Sequence, residues 1–231
     1  MLCPKCSADM ETKHIDDVEI DICTGCAGIF LDDGEFESFT GVDPTTGLLR
    51  VSKFVKVLSK LNERATIDEL TGVFNRKYFS EFTRSVFENA RRGAVTMIGI
   101  DIDHFKQFNT KHGHDGGDTV LKSLARLLTS SLRTSRDDYL FRLGGEEFVM
   151  VLFNLSPEDS YNTAENIRRL VAAAPIDMGA GEIEHITLSL GVALARPGDD
   201  ADSLYKRADE LLYEAKNSGR NKVVMEREQR R

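Results

Sequence analysis

Gly144-Gly145-Glu146-Glu147-Phe148 lies between two apolar runs, Tyr139-Leu140-Phe141 and Phe148-Val149-Met150-Val151-Leu152. No other stretch constrains the fold as tightly. Short runs rich in aromatic and β-branched residues read as strands, and paired glycines permit the positive φ of a tight antiparallel turn. The expectation is a β-hairpin carrying two carboxylates at its tip. Glycine also lets a ligand approach the backbone closely, which makes the tip a candidate metal and phosphate site. Gly and Glu also occur in hairpin turns for solubility alone, so the rest of the chain has to decide.

All four cysteines fall within the first 26 residues. Cys3-Pro4-Lys5-Cys6 and Cys23-Thr24-Gly25-Cys26 form two Cys-x-x-Cys knuckles about 16 residues apart, a spacing that lets four thiolates converge on one zinc ion. Two disulfides or a redox dithiol are the alternatives, and they suit a reducing compartment less well. Glu11 to Ile22 alternates polar and apolar residues about Asp16-Asp17, which predicts a hairpin between the knuckles. His14 lies on it and needs no metal role. Together with Gly28-Ile29-Phe30-Leu31-Asp32-Asp33-Gly34-Glu35, the pattern resembles the transcription-factor-IIB-type zinc ribbon over residues 1–40. The resemblance implies a structural zinc site on Cys3, Cys6, Cys23 and Cys26, with metal binding supplying much of the folding free energy of so short a module. Acidic residues outnumber basic ones across this segment, which disfavours nucleic acid as its partner and leaves a protein partner or a regulatory role.

At 231 residues there is room for one ordinary domain beside this module. The formal charge of −8 argues against a nucleic-acid footprint for the whole chain, and the arginines at 227, 230 and 231 read as a solvated tail. The apolar runs are too short for a membrane span and the N-terminus lacks a signal-peptide core, so a cytoplasmic protein is expected. After a turn segment from Gly41 to Gly47, Leu48, Val51, Val55, Leu58 and Ala65 keep three-and-four spacing, with Asn62 on the same seam. This pattern suits a short coiled-coil stalk, or an amphipathic helix lying on its own domain.

From Asp68-Glu69-Leu70-Thr71 the sequence predicts a turn into a helix running to about Arg92, then a buried strand from Ala94 to Ile100. Asp101-Ile102-Asp103-His104-Phe105-Lys106 places a carboxylate at the end of that strand and a lysine one helical turn beyond, a usual way to hold a divalent ion beside phosphates. Phe105 and Lys106 stand where a calcium loop needs an oxygen ligand and glycine, and no Gly-x-x-x-x-Gly-Lys-Ser/Thr loop is present. Asn109 and Gly113-His114-Asp115-Gly116-Gly117-Asp118 precede a predicted helix from Thr119 to Leu132. An amide and a carboxylate so placed suit a purine edge, and Asp118 equally suits a helix cap. A strand from Ile183 to Ala193 and a helix from Ala201 to Ser218 follow. Lys216 and Arg220 are within reach of a triphosphate, although basic residues also favour helix C-termini for dipole reasons.

From Asp68 to about Met225 these motifs, in this order, resemble the GGDEF domain of diguanylate cyclases. The resemblance implies an α+β, palm-like fold: a central, mainly antiparallel sheet flanked by helices, related to nucleotide cyclases and polymerase palms. It implies synthesis of cyclic di-GMP (c-di-GMP) from two GTP molecules by a homodimer, which the stalk helix would assemble. By position, Asp101, the Ile102 carbonyl and Glu146 match ligands of Mg2+ or Mn2+, and Glu147 matches a metal or base carboxylate that the sequence does not rank against Glu146. Lys106, Lys216 and Arg220 match phosphate contacts, Asn109 and Asp118 the guanine-reading pair with His114 nearby, and Gly144 and Gly145 the hairpin. The expected division is a ribbon over 1–40, a linker and stalk over 41–66, the cyclase domain over 67–226 and a tail over 227–231.

Two departures stand out. Ser135-Arg136-Asp137-Asp138 occupies the place of an Arg-x-x-Asp product site, with serine at the arginine position, which predicts weak or absent product inhibition. Thr110 stands where the family usually has Asp. Asp118, in place of a serine, favours GTP alone. The rival readings are a catalytically silent nucleotide sensor and a zinc-ribbon scaffold.

Overall fold

The structure, a computed structural model, describes residues 9–15, 18–24, 29–30, 66–88, 94–133, 138–179 and 181–226. The chain divides into two compact units, Met1–Arg64 and Ala65–Arg231. In the first, β1 (Met10–Ile15), β2 (Val18–Cys23) and β3 (Ile29–Phe30) form an antiparallel sheet in that order. Ile15 pairs with Val18, as expected of strands that flank Asp16-Asp17, which themselves lie outside the described residues. Thr24 N donates to Asp9 O at 3.0 Å and closes the open end. Cys3, Cys6 and Cys26, the helix expected over 48–65 and the tail lie outside the described residues.

The second unit is built on a six-stranded sheet. Its strands are β4 (Phe74–Asn75), β5 (Val95–Ile102), β6 (Tyr139–Gly144), β7 (Glu147–Phe153), β10 (Leu188–Leu194) and β11 (Lys222–Met225), in the order β11-β10-β5-β7-β6-β4. The three inner pairings are antiparallel and the two edge pairings parallel, so the sheet is mixed but mainly antiparallel. A separate hairpin joins β8 (Ile176–Gly179) to β9 (Glu182–Glu184).

Strand side chains alternate between faces, and the inner strands are buried on both. Ile98, Ile100 and Ile102 of β5 and Phe148, Met150 and Leu152 of β7 pack under α2 (Phe105–Ser130) and α3 (Pro157–Ala173). Met97, Val149 and Val151 face the other way, under α1 (Arg76–Glu88) and α4 (Ala201–Asn217). Burial on both faces explains why these strands read as continuous apolar runs rather than an alternating pattern. Ser156 and Asp200 cap α3 and α4, the latter in a capping box with Ser203.

Residues 68–72 form the expected turn, closed by Gly72 N to Asp68 O, and the helix α1 follows from Arg76. The element boundaries differ from expectation in two places. Helix α2 starts at Phe105 rather than Thr119 and continues through the glycine-rich motif with a single kink at Gly113 (φ 72°, ψ 179°). Asp118 therefore lies inside a helix and does not cap one. The segment expected as one strand from Ile183 is split, because residues 185–187 leave the hairpin before β10 begins.

Candidate active site

The β6–β7 hairpin forms as expected, with Gly144 (φ 137°) and Gly145 (φ 50°) supplying the left-handed turn. Two arginines that sequence reasoning did not select hold its backbone. Arg142 donates through Nε and Nη2 to the Gly145 carbonyl (3.1 and 2.9 Å) and through Nη1 to Asp68 (2.9 Å). Arg76 donates to the Leu143 carbonyl at 2.6 Å. A lone arginine at position 142, inside an apolar strand, is the one signal the sequence carried for this role.

The strand register brings the acids together. Asp101 pairs with Glu147 across β5 and β7, so both carboxylates emerge on the face covered by α4. Lys216, in the last turn of α4, reaches Asp101 Oδ2 at 2.7 Å. Asp101 is 3% exposed. Burial, with Glu146 and Glu147 nearby, pushes its carboxyl up to about 6 despite the opposing Lys216 ammonium.

Glu146, at the hairpin tip, opens onto a cleft of about 580 Å³ lined by Phe105, Lys106, Asn109, Thr110, His114, Gly145 and Glu146. The kinked start of α2 thus faces the hairpin. Asn109 Oδ1 is buried with no hydrogen-bond partner, an acceptor that lacks a donor. A Cβ on Gly117 would lie 2.0 Å from this atom, so Gly117 makes room for the Asn109 side chain. Asp118 is not on the cleft lining, and its side chain makes no hydrogen bond among the described residues. Arg220 is exposed on the turn after α4. The candidate residues therefore fall into a cleft group (Lys106, Asn109, His114, Gly145, Glu146) and a sheet-face group (Asp101, Glu147, Lys216), joined at the hairpin.

Among the described residues, the trio of His, Asp, Glu or Cys whose ligand atoms all lie within 4.8 Å of one another is His112, Glu182 and Glu184, not the expected set. There Lys111 Nζ is 2.5 Å from Glu184, and His112 Nε2 is 3.0 Å from the same oxygen. The Lys111–Glu184 ion pair fastens β9 to α2. Asp138, the remnant of the expected product site, is also committed. Its side chain is 1% exposed and takes both Nε and Nη2 of Arg133 at 2.5 Å, while Arg133 also donates to the Phe153 carbonyl. Ser135 and Arg136 lie outside the described residues.

Comparison with known proteins covers the same span. Residues 65–222 match the model of the family described as diguanylate cyclase, GGDEF domain, and residues 2–40 match that of a transcription factor zinc-finger of the TFIIB ribbon type. Response regulator PleD of Caulobacter vibrioides is 43% identical over 166 residues, 70% of this chain and 36% of that protein. Diguanylate cyclase VdcA of Vibrio cholerae is 36% identical over 178 residues, 76% of this chain and 51% of that protein. The chain therefore spans about a third to a half of the length of these relatives. The crystal structure of the coiled coil and GGDEF domain of DgcB from Caulobacter crescentus, in complex with c-di-GMP, superposes with a TM-score of 0.71 at 30% identity, covering 76% of this chain and 93% of that one. The family model matches along residues 65–222, and the chain belongs to the GGDEF-domain family of diguanylate cyclases.

Proposed function

We propose that this chain condenses two GTP molecules into c-di-GMP and pyrophosphate, with the zinc ribbon as an interaction or regulatory module. The observation that carries the reading is the meeting of Asp101 and Glu147 on one sheet face, beside a hairpin tip whose Glu146 opens onto the cleft of Lys106, Asn109 and His114. An all-oxygen donor set of carboxylates and the Ile102 carbonyl suits Mg2+ or Mn2+. The Lys216 ammonium, 2.7 Å from Asp101 Oδ2, supports the reading as a positive charge beside this carboxylate. When bound, the metal neutralises charge developing on the reacting phosphate.

The protein mainly positions. Asn109 and Asp118 read the guanine, with His114 beside them. Lys106, Lys216 and Arg220 hold the polyphosphate. The 3′-oxygen of each GTP bonds in line to the α-phosphorus of the other, both α–β bridging bonds break, and two pyrophosphates leave with the bonding electrons. The hydroxyl proton passes to Glu146 or Glu147, the two carboxylates of the hairpin. Each domain holds one GTP, so a homodimer must bring two domains face to face, and the helix expected over 48–65 supplies the means. Cys3, Cys6, Cys23 and Cys26 would hold zinc in the ribbon.

The test is incubation with GTP and Mg2+ followed by chromatographic separation of nucleotides, on the full chain and on a variant lacking residues 1–40. Absence of c-di-GMP from both would overturn the cyclase reading in favour of a silent sensor. Equal rates and equal oligomeric state in the two would remove the regulatory role of the ribbon.

Protons and divalent ions compete for a ligating carboxylate. With Asp101 raised to about 6, its metal-binding form is complete well above that pH and is lost below it. The Mg2+ concentration for half-maximal rate should therefore rise about tenfold per pH unit below about 6 and stay level above about 7. A flat Mg2+ requirement from pH 5 to 8 would remove Asp101 from the metal site.

Because Asp138 is consumed by Arg133 and Ser135 replaces the arginine of the product motif, added c-di-GMP should inhibit only weakly. Inhibition at submicromolar product that survives Arg136→Ala would reveal a product site elsewhere. Asp138→Ala should instead act on stability, costing roughly 3 kcal/mol because it leaves the Arg133 guanidinium without its buried partner.

A further inference from the structure

Asp103 is the second acid of the Asp-x-Asp pair, and its geometry separates it from the first. It is 8% exposed. Oδ1 accepts Ser189 Oγ at 2.6 Å, and Oδ2 accepts both Thr187 Oγ1 at 2.6 Å and the backbone N–H of Asn221 at 2.9 Å. Its own N–H donates to the Thr187 carbonyl at 2.9 Å. One side chain thus ties the end of β5 to β10, to the segment before β10, and to the turn between α4 and β11.

That turn is unusual. Gly219, Arg220 and Asn221 are consecutive left-handed residues, with φ of 112°, 60° and 44°. Non-glycine residues there are strained and persist only where their surroundings hold them. Arg220 N–H donates back to the Ala215 carbonyl at 3.0 Å, and Asn221 is held twice, through its N–H by Asp103 and through Oδ1 by Arg168 Nη1 at 2.7 Å. The exposed Arg220 side chain forms no ion pair among the described residues, so the backbone of this turn decides where its guanidinium goes.

We infer that Asp103 is a positioning residue, which fixes the left-handed turn that aims Arg220 at the polyphosphate and does not itself bind the metal. The inference rests on the GTP reading above. A carboxylate is required because three donors converge on two oxygens. Asparagine offers one oxygen in place of two and no negative charge, so at most two of the three donors keep this acceptor.

The test is calorimetric titration of the full-length chain with a non-hydrolysable GTP analogue and with GMP, which keeps the guanine but lacks the β- and γ-phosphates. Asp103→Asn should weaken the analogue about tenfold or more and leave GMP unchanged. Arg220→Ala should show the same loss, and adding Asp103→Asn to it should cost nothing further, because both act through one contact. Equal weakening of both nucleotides, no weakening, or additive losses would each overturn the role. A wild-type protein that binds neither nucleotide would overturn the GTP reading, and the inference with it. Should Asp103→Asn fail to fold, Ser189→Ala keeps the carboxylate but removes the buried hydroxyl that holds its Oδ1 and so orients Oδ2 toward the Asn221 N–H. The same selective loss is expected from it, and its absence decides against the role.

Discussion

Glu146→Gln should lower c-di-GMP formation by at least about a thousandfold while changing GTP affinity by no more than about threefold. Glutamine keeps the volume and one acceptor oxygen of Glu146, so the hairpin, which is held by Arg142 and Arg76 through backbone carbonyls, has no reason to move. What disappears is one negative charge at the cleft mouth. Removing a single preorganised electrostatic contact to a reacting centre typically costs two to three orders of magnitude in rate, about 3–4 kcal/mol. A residue that serves both as metal ligand and as proton acceptor falls at the upper end of that range. Nucleotide separation after incubation with GTP and Mg2+ reads the rate, and titration with the analogue reads affinity. Product at more than a tenth of the wild-type rate would move the chemistry away from this hairpin. Affinity lost together with rate would make Glu146 a substrate-binding group with no special role in the transition state.

Much of this site was legible because strand parity is a strict rule. Once β5 and β7 are adjacent, the pairing of Asp101 with Glu147 follows from the spacing of acids within apolar runs, and both acids were already candidates. The glycines at 144 and 145 likewise point to a turn, since few other residues tolerate those angles. Glycine misled at 113–117. Three glycines in five residues suggest a loop, yet α2 runs through them because Phe105, Val120, Leu121, Leu124 and Leu128 bury one side of the whole segment. Tertiary packing there outweighs local propensity, and only Gly113 leaves helical geometry. Asp103 was quoted inside a motif but given no part, because its partners at 187, 189 and 221 are more than 80 residues away and have no local signature. Asp138 keeps the acid of the product motif in the sequence. Its capture by Arg133, only five residues away, depends on burial that composition cannot reveal.

Gly191→Ala should destabilise the catalytic unit by about 3 kcal/mol, and Gly99→Ala, one strand away, by less than about 1 kcal/mol. The two glycines pair across β10 and β5 and both face α4. A Cβ at Gly191 would lie 2.2 Å from Leu212 N, 2.3 Å from Ala208 O and 2.8 Å from Leu211 C, all backbone atoms of α4. No rotamer change relieves such a contact, so the helix must lift by about 1 Å, which costs at the upper end of the overpacking range. At Gly99 the corresponding distances are 3.5 Å and 3.6 Å, ordinary packing. There the lower entropy of the unfolded alanine chain partly offsets the rest. For a unit of this size each kcal/mol shifts the melting temperature by roughly 2–4 °C, so Gly191→Ala should melt about 6–12 °C lower, with Gly99→Ala close to wild type. Equal melting of the two variants would mean that α4 does not seat on the sheet as described. Activity supplies a second readout, because α4 carries Lys216 toward Asp101 and ends in the turn that bears Arg220. A helix lifted off Gly191 takes Lys216 and Arg220 with it, the two residues proposed to hold phosphate, so the KM for GTP should rise in Gly191→Ala even at temperatures where the protein remains folded.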